Sequence, residues 1–300
     1  MTTVGLLGIG RMGTAMCRSL AGHGFGLVLY NRTPKRAQAL AEELGARAVT
    51  SPSAVAAEAD ICITMLADEP AVEAVYRGPG GLIEGARPAS ILIDMSTVPP
   101  STIRGLEADV RSAGAGILDA PVSGSVALAD AGQLTIMVGG SAVDLERARP
   151  VLEALAQRIF HLGPLGSGAA MKLAVNAVIF GLNNALAESL ALAERAGIQR
   201  SLAYDVLAAS AVGAPFVEYK RAAFVDPDAT PTAFSLELAG KDLRLITGLA
   251  ASLGVAVPQA EANLALILEA IAALGPDRDF SSVATYLRES DAPRVSARGT

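Results

Sequence analysis

Long uninterrupted hydrophobic runs are missing from this chain. Of its 300 residues 51% are apolar, yet the most apolar segment, Ala169 to Ala193, is broken by Lys172, Asn176, Asn183, Asn184 and Glu188, so no membrane span is expected. The start of the chain has no charged leader, apolar segment or small-residue cleavage site, and export is not expected. Cysteine is scarce: Cys17 and Cys62 fall on a predicted helix and a predicted core strand, which favours two buried small hydrophobes over a bridge and fits a reduced, cytoplasmic setting. The net charge is -6 with no basic run, which argues against nucleic acid or an anionic membrane and for small metabolites as partners. His23 and His161 are far apart and no carboxylate–histidine cluster has ligand spacing, so no metal site is predicted. No Gly-x-Ser-x-Gly elbow occurs and neither cysteine has a predicted basic partner, which leaves nucleophilic catalysis without a candidate. Low-complexity linkers and internal repeats are also absent.

What is present is βα alternation. Up to about residue 163, apolar β-rich runs such as Asp60–Leu66, Ile91–Asp94, Gly116–Asp119 and Leu134–Val138 alternate with helical patterns, the signature of a doubly wound α/β sheet. Ser51-Pro52 supplies an N-cap and a proline for the first helical position, and Thr33-Pro34 repeats the device before Lys35 to Leu44. From Gly166 a long helix is predicted to about Ala196, stopped by Gly197, followed by further helices over Leu236–Leu253 and Gln259–Leu274. The expected architecture is an N-terminal Rossmann domain over residues 1–163, a long interdomain helix, and an all-α domain over residues 164–300 whose tail frays after about Asp291. A chain of this length exceeds the usual single core, so two domains are the natural division.

The first strand, ending Val4-Gly5-Leu6-Leu7, runs directly into Gly8-Ile9-Gly10-Arg11-Met12-Gly13 and then a helical pattern. That order gives the glycines distinct roles at a dinucleotide. Gly8 permits the tight turn, Gly10 lets the backbone approach a pyrophosphate, and Gly13 lets the helix pack on the strand with its N-terminal amides facing the anion. At the end of the second strand, Leu27 to Tyr30, an acidic residue would grip the ribose hydroxyl of NAD, but the chain places Asn31-Arg32-Thr33 there. A carboxylate would repel a 2′-phosphate by about 4 kcal/mol per charge pair at contact distance and an intermediate dielectric. Asn31 removes that repulsion, and Arg32 and Thr33 offer donors to the phosphate, so NADPH is expected over NADH. Arg32 also reads as a solvated turn residue.

Three further segments bear chemistry. Asp94-Met95-Ser96-Thr97 follows a predicted strand, where open α/β sheets bind ligands; Thr97 reads equally as a carboxamide partner or a helix N-cap. Asp119 to Ser125 follows another strand, and its Ser123-Gly124 reads either as a nest for a carboxylate or as an ordinary turn. In the third, Gly168, Lys172 and Asn176 fall at i, i+4 and i+8, on one face of the long helix. A lysine among apolar neighbours either snorkels to solvent or occupies a cavity, where it can serve as a general acid and base.

Taken together, Gly8 to Gly13, Ser96-Thr97, Asp119 to Gly140, Gly166 to Asn176 and Lys241-Asp242-Leu243 resemble the β-hydroxyacid dehydrogenase family, which includes 3-hydroxyisobutyrate dehydrogenase and the tartronate, glyoxylate and succinic semialdehyde reductases. The resemblance spans almost the whole chain. It implies that Lys172 is the catalytic acid and base, that Asn176 positions the substrate, and that Ser123 and Gly124 bind a substrate carboxylate. It also implies that Thr97 lies beside the nicotinamide, that Met65 and Leu66 join the cofactor contacts, and that Lys241 closes over the site. Phe234 is a candidate wall of the pocket, though it also reads as core. Homodimers or homotetramers are implied as well.

One departure stands out: the family commonly has Ser-Gly-Gly where this chain has Ser123-Gly124-Ser125, which narrows the carboxylate pocket or adds a donor. The expected activity is NADPH-dependent interconversion of a small hydroxy acid and its semialdehyde or keto acid. Two alternatives share the fold, an imine reductase and a catalytically silent dinucleotide-binding module. Imine reductases usually carry aspartate or tyrosine at the lysine position, so Lys172 counts against that reading.

Overall fold

The computed structural model describes residues 2–290, and the tail expected after about Asp291 lies outside them. By internal contacts the chain divides into two compact units, residues 1–172 and 173–300.

The first unit runs β1 (Thr3–Leu7), α1 (Arg11–Gly22), β2 (Gly26–Tyr30), α2 (Pro34–Leu44), β3 (Arg47–Ala48), α3 (Pro52–Glu58), β4 (Ile61–Thr64), α4 (Glu69–Arg77), α5 (Leu82–Gly85), β5 (Ile91–Asp94), α6 (Pro100–Ser112), β6 (Gly116–Asp119), β7 (Val122–Ser123), α7 (Val126–Asp130), β8 (Leu134–Gly140), α8 (Ala142–Glu153) and β9 (Ala156–His161), and includes the first residues of α9 (Ser167–Arg195). The strand order is β3-β2-β1-β4-β5-β6-β8-β7, with β9 pairing β8. Pairs from β3 to β6 are parallel, whereas β6 meets β8 antiparallel. Strands β1, β4, β5 and β6 are almost wholly buried, as a sheet covered by helices on both faces requires. One face packs Leu6, Met16, Leu29, Ile63 and Leu152; the other packs Leu7, Val55, Tyr76, Leu92 and Ile103.

Ser51 caps α3 by accepting from the Ala54 N–H, as predicted. Thr33 makes no side-chain cap bond to α2; its carbonyl is held by Asn31 Nδ2 instead. The strand expected over Asp60–Leu66 stops at Thr64, which leaves Met65 and Leu66 in the loop at the C-terminal edge of the sheet. The boundary between units falls at Lys172, later than the expected residue 163, because the first turn of α9 is seated against the ends of β6 and β8.

The second unit is helical: the remainder of α9, then α10 (Arg200–Ala209), α11 (Pro215–Val225), α12 (Leu236–Leu253), α13 (Pro258–Leu274), a 3₁₀ turn at Phe280–Ser282, and α14 (Val283–Glu289). By length and composition α9 is apolar enough to cross a membrane. Leu173, Phe180, Leu186, Ala187 and Leu190 of that helix are instead buried in the unit's own core with Tyr204, Phe224, Leu243 and Ile267.

Candidate functional site

The glycine-rich turn between β1 and α1 follows from steric limits. Gly8 has a φ of +103°, and a Cβ there would lie 2.2 Å from the Met65 carbonyl oxygen. A Cβ on Gly13 would lie 2.1 Å from the Gly8 oxygen, whereas at Gly10 it would meet nothing within 4 Å. Two glycines are thus needed for packing, and the third leaves open space at the N-terminus of α1. The N-cap residue Gly10 has no side chain to bond the first amides of the helix, a cradle that fits a pyrophosphate. A cavity of about 560 Å³ adjoins it, lined by Gly10, Arg11, Thr14, Arg36, Leu40 and Val126. Ile9 is buried and Met12 half-buried against the core, so these two hold the turn in place.

Asn31 ties this turn to β2. Its Oδ1 accepts from the Ile9 N–H at 3.0 Å, and its Nδ2 donates to the Thr33 carbonyl at 3.1 Å. A neutral amide supplies both an acceptor and a donor here, which a carboxylate cannot do. Arg32 and Thr33 beyond it are exposed.

A buried carboxylate organises the next loops. Asp94, at the end of β5, accepts from Thr64 Oγ1 at 2.5 Å and from the Ser96 N–H at 3.0 Å, and Ser96 Oγ accepts from the Leu66 N–H at 2.9 Å. Burial pushes the Asp94 carboxyl up to about 6, against the pull of its Thr64 and Ser96 hydrogen bonds. The Met65-Leu66 and Ser96-Thr97 loops are thereby fixed to one another. Helix α6 begins at Pro100 with Pro99 as its N-cap, so half-buried Thr97 is not the cap of that helix.

Gly124 is exposed and has a φ of +144°, and a Cβ there would press on Leu134 Cδ2 at 2.8 Å. Ser123 ends β7, paired with Thr135 of β8. The additional hydroxyl of Ser125 is turned to local use, since it caps α7 by accepting from the Leu128 N–H at 3.3 Å.

On α9, Lys172 is half-buried and Asn176 follows one turn later, itself 6% exposed. Within the helical unit Asn176 Nδ2 donates to Asp242 Oδ2 at 2.8 Å, and the other Asp242 oxygen lies 3.0 Å from Lys241 Nζ. Periodicity does not single out Asp242, because a carboxylate next to a lysine on an amphipathic helix reads as solvated. Its burial is what marks it. Phe234 packs 6.3 Å from Phe180 and 5.5 Å from Phe280, and its backbone N–H donates to Asp279, whose carboxylate pairs with buried Lys220 at 2.6 Å.

The cysteines are free and buried, and burial pushes both thiols up to about 12, far from a reactive thiolate. His23 Nδ1 and His161 Nε2 each lie 2.8 Å from a backbone carbonyl, of Ser19 and Gly140 respectively, which accounts for both rings structurally.

These features define a nicotinamide-dinucleotide-binding fold, and comparison with known proteins specifies it. Residues 3–163 match the family described as the NAD binding domain of 6-phosphogluconate dehydrogenase, and residues 166–287 match that described as NAD-binding of NADP-dependent 3-hydroxyisobutyrate dehydrogenase. The chain is 34% identical over 286 residues to glyoxylate/succinic semialdehyde reductase 2 of Arabidopsis thaliana, covering 95% of this chain and 79% of that protein. It is 38% identical over 295 residues to a probable 3-hydroxyisobutyrate dehydrogenase of Mycobacterium tuberculosis, covering 96% and 98%. A solved structure of the M. tuberculosis 3-hydroxyisobutyrate dehydrogenase with L-serine superposes with a TM-score of 0.83 at 35% identity, over 96% of this chain and 99% of that one. The chain belongs to the β-hydroxyacid dehydrogenase family. It is an NAD(P)-binding hydroxyacid dehydrogenase or reductase.

Proposed function

We propose that this protein is an NADPH-dependent reductase of small aldehydo- or keto-acids, running in reverse as a hydroxyacid dehydrogenase. The observation that carries the reading is the lysine–asparagine pair on one face of α9, with Asn176 anchored by a buried carboxylate. The reduced dinucleotide, when bound, supplies a hydride to the carbonyl carbon. Lys172 gives a proton to the oxygen that receives the displaced π electrons, which balances the step as one hydride and one proton added across C=O. Ser123 and Gly124 hold the substrate carboxylate, and Asn176 holds the reacting oxygen in line with the lysine. Lys241 adds a cationic contact to cofactor and substrate, and Asp242 sets the position of both Asn176 and Lys241.

The preference for the 2′-phosphate rests on Arg32 and Thr33, exposed beyond an asparagine whose side chain is already committed. Gly8, Ile9, Gly10, Arg11, Met12 and Gly13 form the pyrophosphate cradle, and Met65, Leu66 and Thr97 the nicotinamide end. A homo-oligomer is supported by the exposed apolar residues Met171, Val178 and Leu192, spaced seven and then fourteen residues apart along α9, with Val178 and Leu192 71% and 74% exposed.

The test follows nicotinamide absorbance with NADPH and NADH in parallel against succinic semialdehyde, glyoxylate, tartronate semialdehyde, methylmalonate semialdehyde and a cyclic imine. Turnover of a semialdehyde or keto acid with NADPH is expected. A cyclic imine reduced faster than every acid would replace this reading with imine reduction, and no turnover at all would favour a silent binding module.

A further inference from the structure

We propose that Asp119 is the positioning residue for Lys172, setting the register of the helix from which the lysine projects. The inference rests on the proposed role of Lys172. Asp119 closes β6 and is 1% exposed. Its Oδ1 accepts from the Gly166 N–H and its Oδ2 from the Ala169 N–H, both at 2.7 Å. These are amides at the N-terminal end of α9, which have no partner within the helix. Helices α3 and α7 take such a side chain from the residue just before them, Ser51 and Ser125 respectively. Here the acceptor comes from another strand, 47 and 50 residues back in the chain.

The seat around the carboxylate has no slack. A Cβ on Gly139 of β8 would lie 2.3 Å from Asp119 Oδ1 and 2.8 Å from the Ser167 nitrogen. A Cβ on Gly168 would lie 2.2 Å from the Met137 carbonyl oxygen and 2.9 Å from Asp119 Oδ2. Two strand ends and the first turn of α9 therefore meet at a single carboxylate, with glycine where a side chain would push them apart. Gly168 is one turn before Lys172 on the same face, so a shift or rotation at the seat is passed to the lysine through one turn of rigid helix. The strand that bears Asp119 leads within four residues to Ser123. One side chain thus references the proton donor to the segment that holds the substrate carboxylate. Burial raises the Asp119 carboxyl above its ordinary range, and the amides of Ala169, Gly166 and Gly168 act in the opposite sense by favouring the charged form.

The test compares Asp119→Asn with Lys172→Ala, using glyoxylate and succinic semialdehyde as probes with NADPH. The asparagine keeps the size of the side chain but turns one acceptor into a donor facing a backbone N–H. The expected result is a kcat lowered about 10- to 100-fold, the scale of a misplacement near 1 Å. KM and the NADPH Kd stay within about twofold of wild type, and the solvent deuterium isotope effect on kcat rises as proton transfer becomes limiting. A wild-type kcat in Asp119→Asn, with Lys172→Ala inactive, overturns this inference alone. So does a loss spread equally over kcat, KM and Kd, which is general loosening. Normal turnover in Lys172→Ala overturns the lysine assignment and this inference with it. Should Asp119→Asn fail to fold, Asp119→Ser, which retains an acceptor, takes its place under the same criteria. If that also fails, hydrogen exchange in the wild-type protein decides: Gly166 and Ala169 amides as slow as those of β6 support the seat, and fast exchange overturns it.

Discussion

Asn176 Nδ2 donates to Asp242 Oδ2 at 2.8 Å between two helices of the second unit, and both side chains are buried. The carboxylate faces Lys241 Nζ with its other oxygen, at 3.0 Å. Replacing Asp242 with alanine leaves the Asn176 amide without this acceptor, which is expected to cost about 1–3 kcal/mol of stability together with most of the turnover. Asp242→Asn keeps an acceptor for Asn176 and should recover stability while turnover stays low, because the charge beside Lys241 is gone. Denaturant midpoints and kcat for the two variants check this, and equal instability in both would show that the Asn176 contact is not the dominant loss.

Lys172→Ala is expected to lower turnover by about 10²- to 10⁴-fold, the span of general acid–base catalysis, while NADPH binding stays nearly intact. Steady-state rates and fluorescence titration with NADPH measure the two quantities separately. Near-normal turnover would remove the lysine from the mechanism.

Arg32→Ala should weaken NADPH much more than NADH. Arg32 is exposed beyond β2, and a direct phosphate contact is a charge-assisted hydrogen bond worth about 1.5–3 kcal/mol, or roughly 10- to 100-fold in Kd. The ratio of the two dissociation constants in variant and wild type is the readout. An unchanged ratio would make Arg32 a solvated turn residue.

Asp94 gives a pH dependence of unusual sign. Its carboxyl is raised from 3.8 to about 6 by burial, so between those values the folded chain holds a proton that the unfolded chain has released. Stability from this group is therefore full below the unfolded value and is lost as pH rises through about 6, a total of about 3 kcal/mol. Melting temperatures of wild type and Asp94→Asn, recorded between about pH 4 and 8, should diverge across that window. Parallel curves would show that Asp94 ionises normally.

Ser125→Gly restores the commoner Ser-Gly-Gly sequence. Because the Ser125 hydroxyl caps α7, the change is expected to cost only a few tenths of a kcal/mol. The KM for a carboxylate substrate should be unaltered, and a several-fold change in it would assign the hydroxyl to the substrate pocket.

Sequence by itself determined the βα alternation, the glycine turn and the long helix, because each is written in local spacing. Gly8 and Gly13 are required by atoms within a few residues or on the adjoining strand end, and the i, i+4 relation of Lys172 and Asn176 is a property of any helix. The Asn-Arg-Thr segment was legible for its missing carboxylate, although the Asn31 bond to Ile9 was not. Tertiary structure alone decided what lies between distant segments. It decided that Thr97 is not the cap of α6, that β8 runs antiparallel to β6, and that Ser125 serves α7. It also decided which acidic residues are buried. Asp94, Asp119 and Asp242 look like ordinary strand-end or helix-surface carboxylates, and their partners Thr64, Ala169 and Asn176 are 30, 50 and 66 residues away. No local periodicity encodes such pairings. They arise when packing removes water from the carboxylate, so that a distant amide or hydroxyl becomes its hydrogen-bond donor.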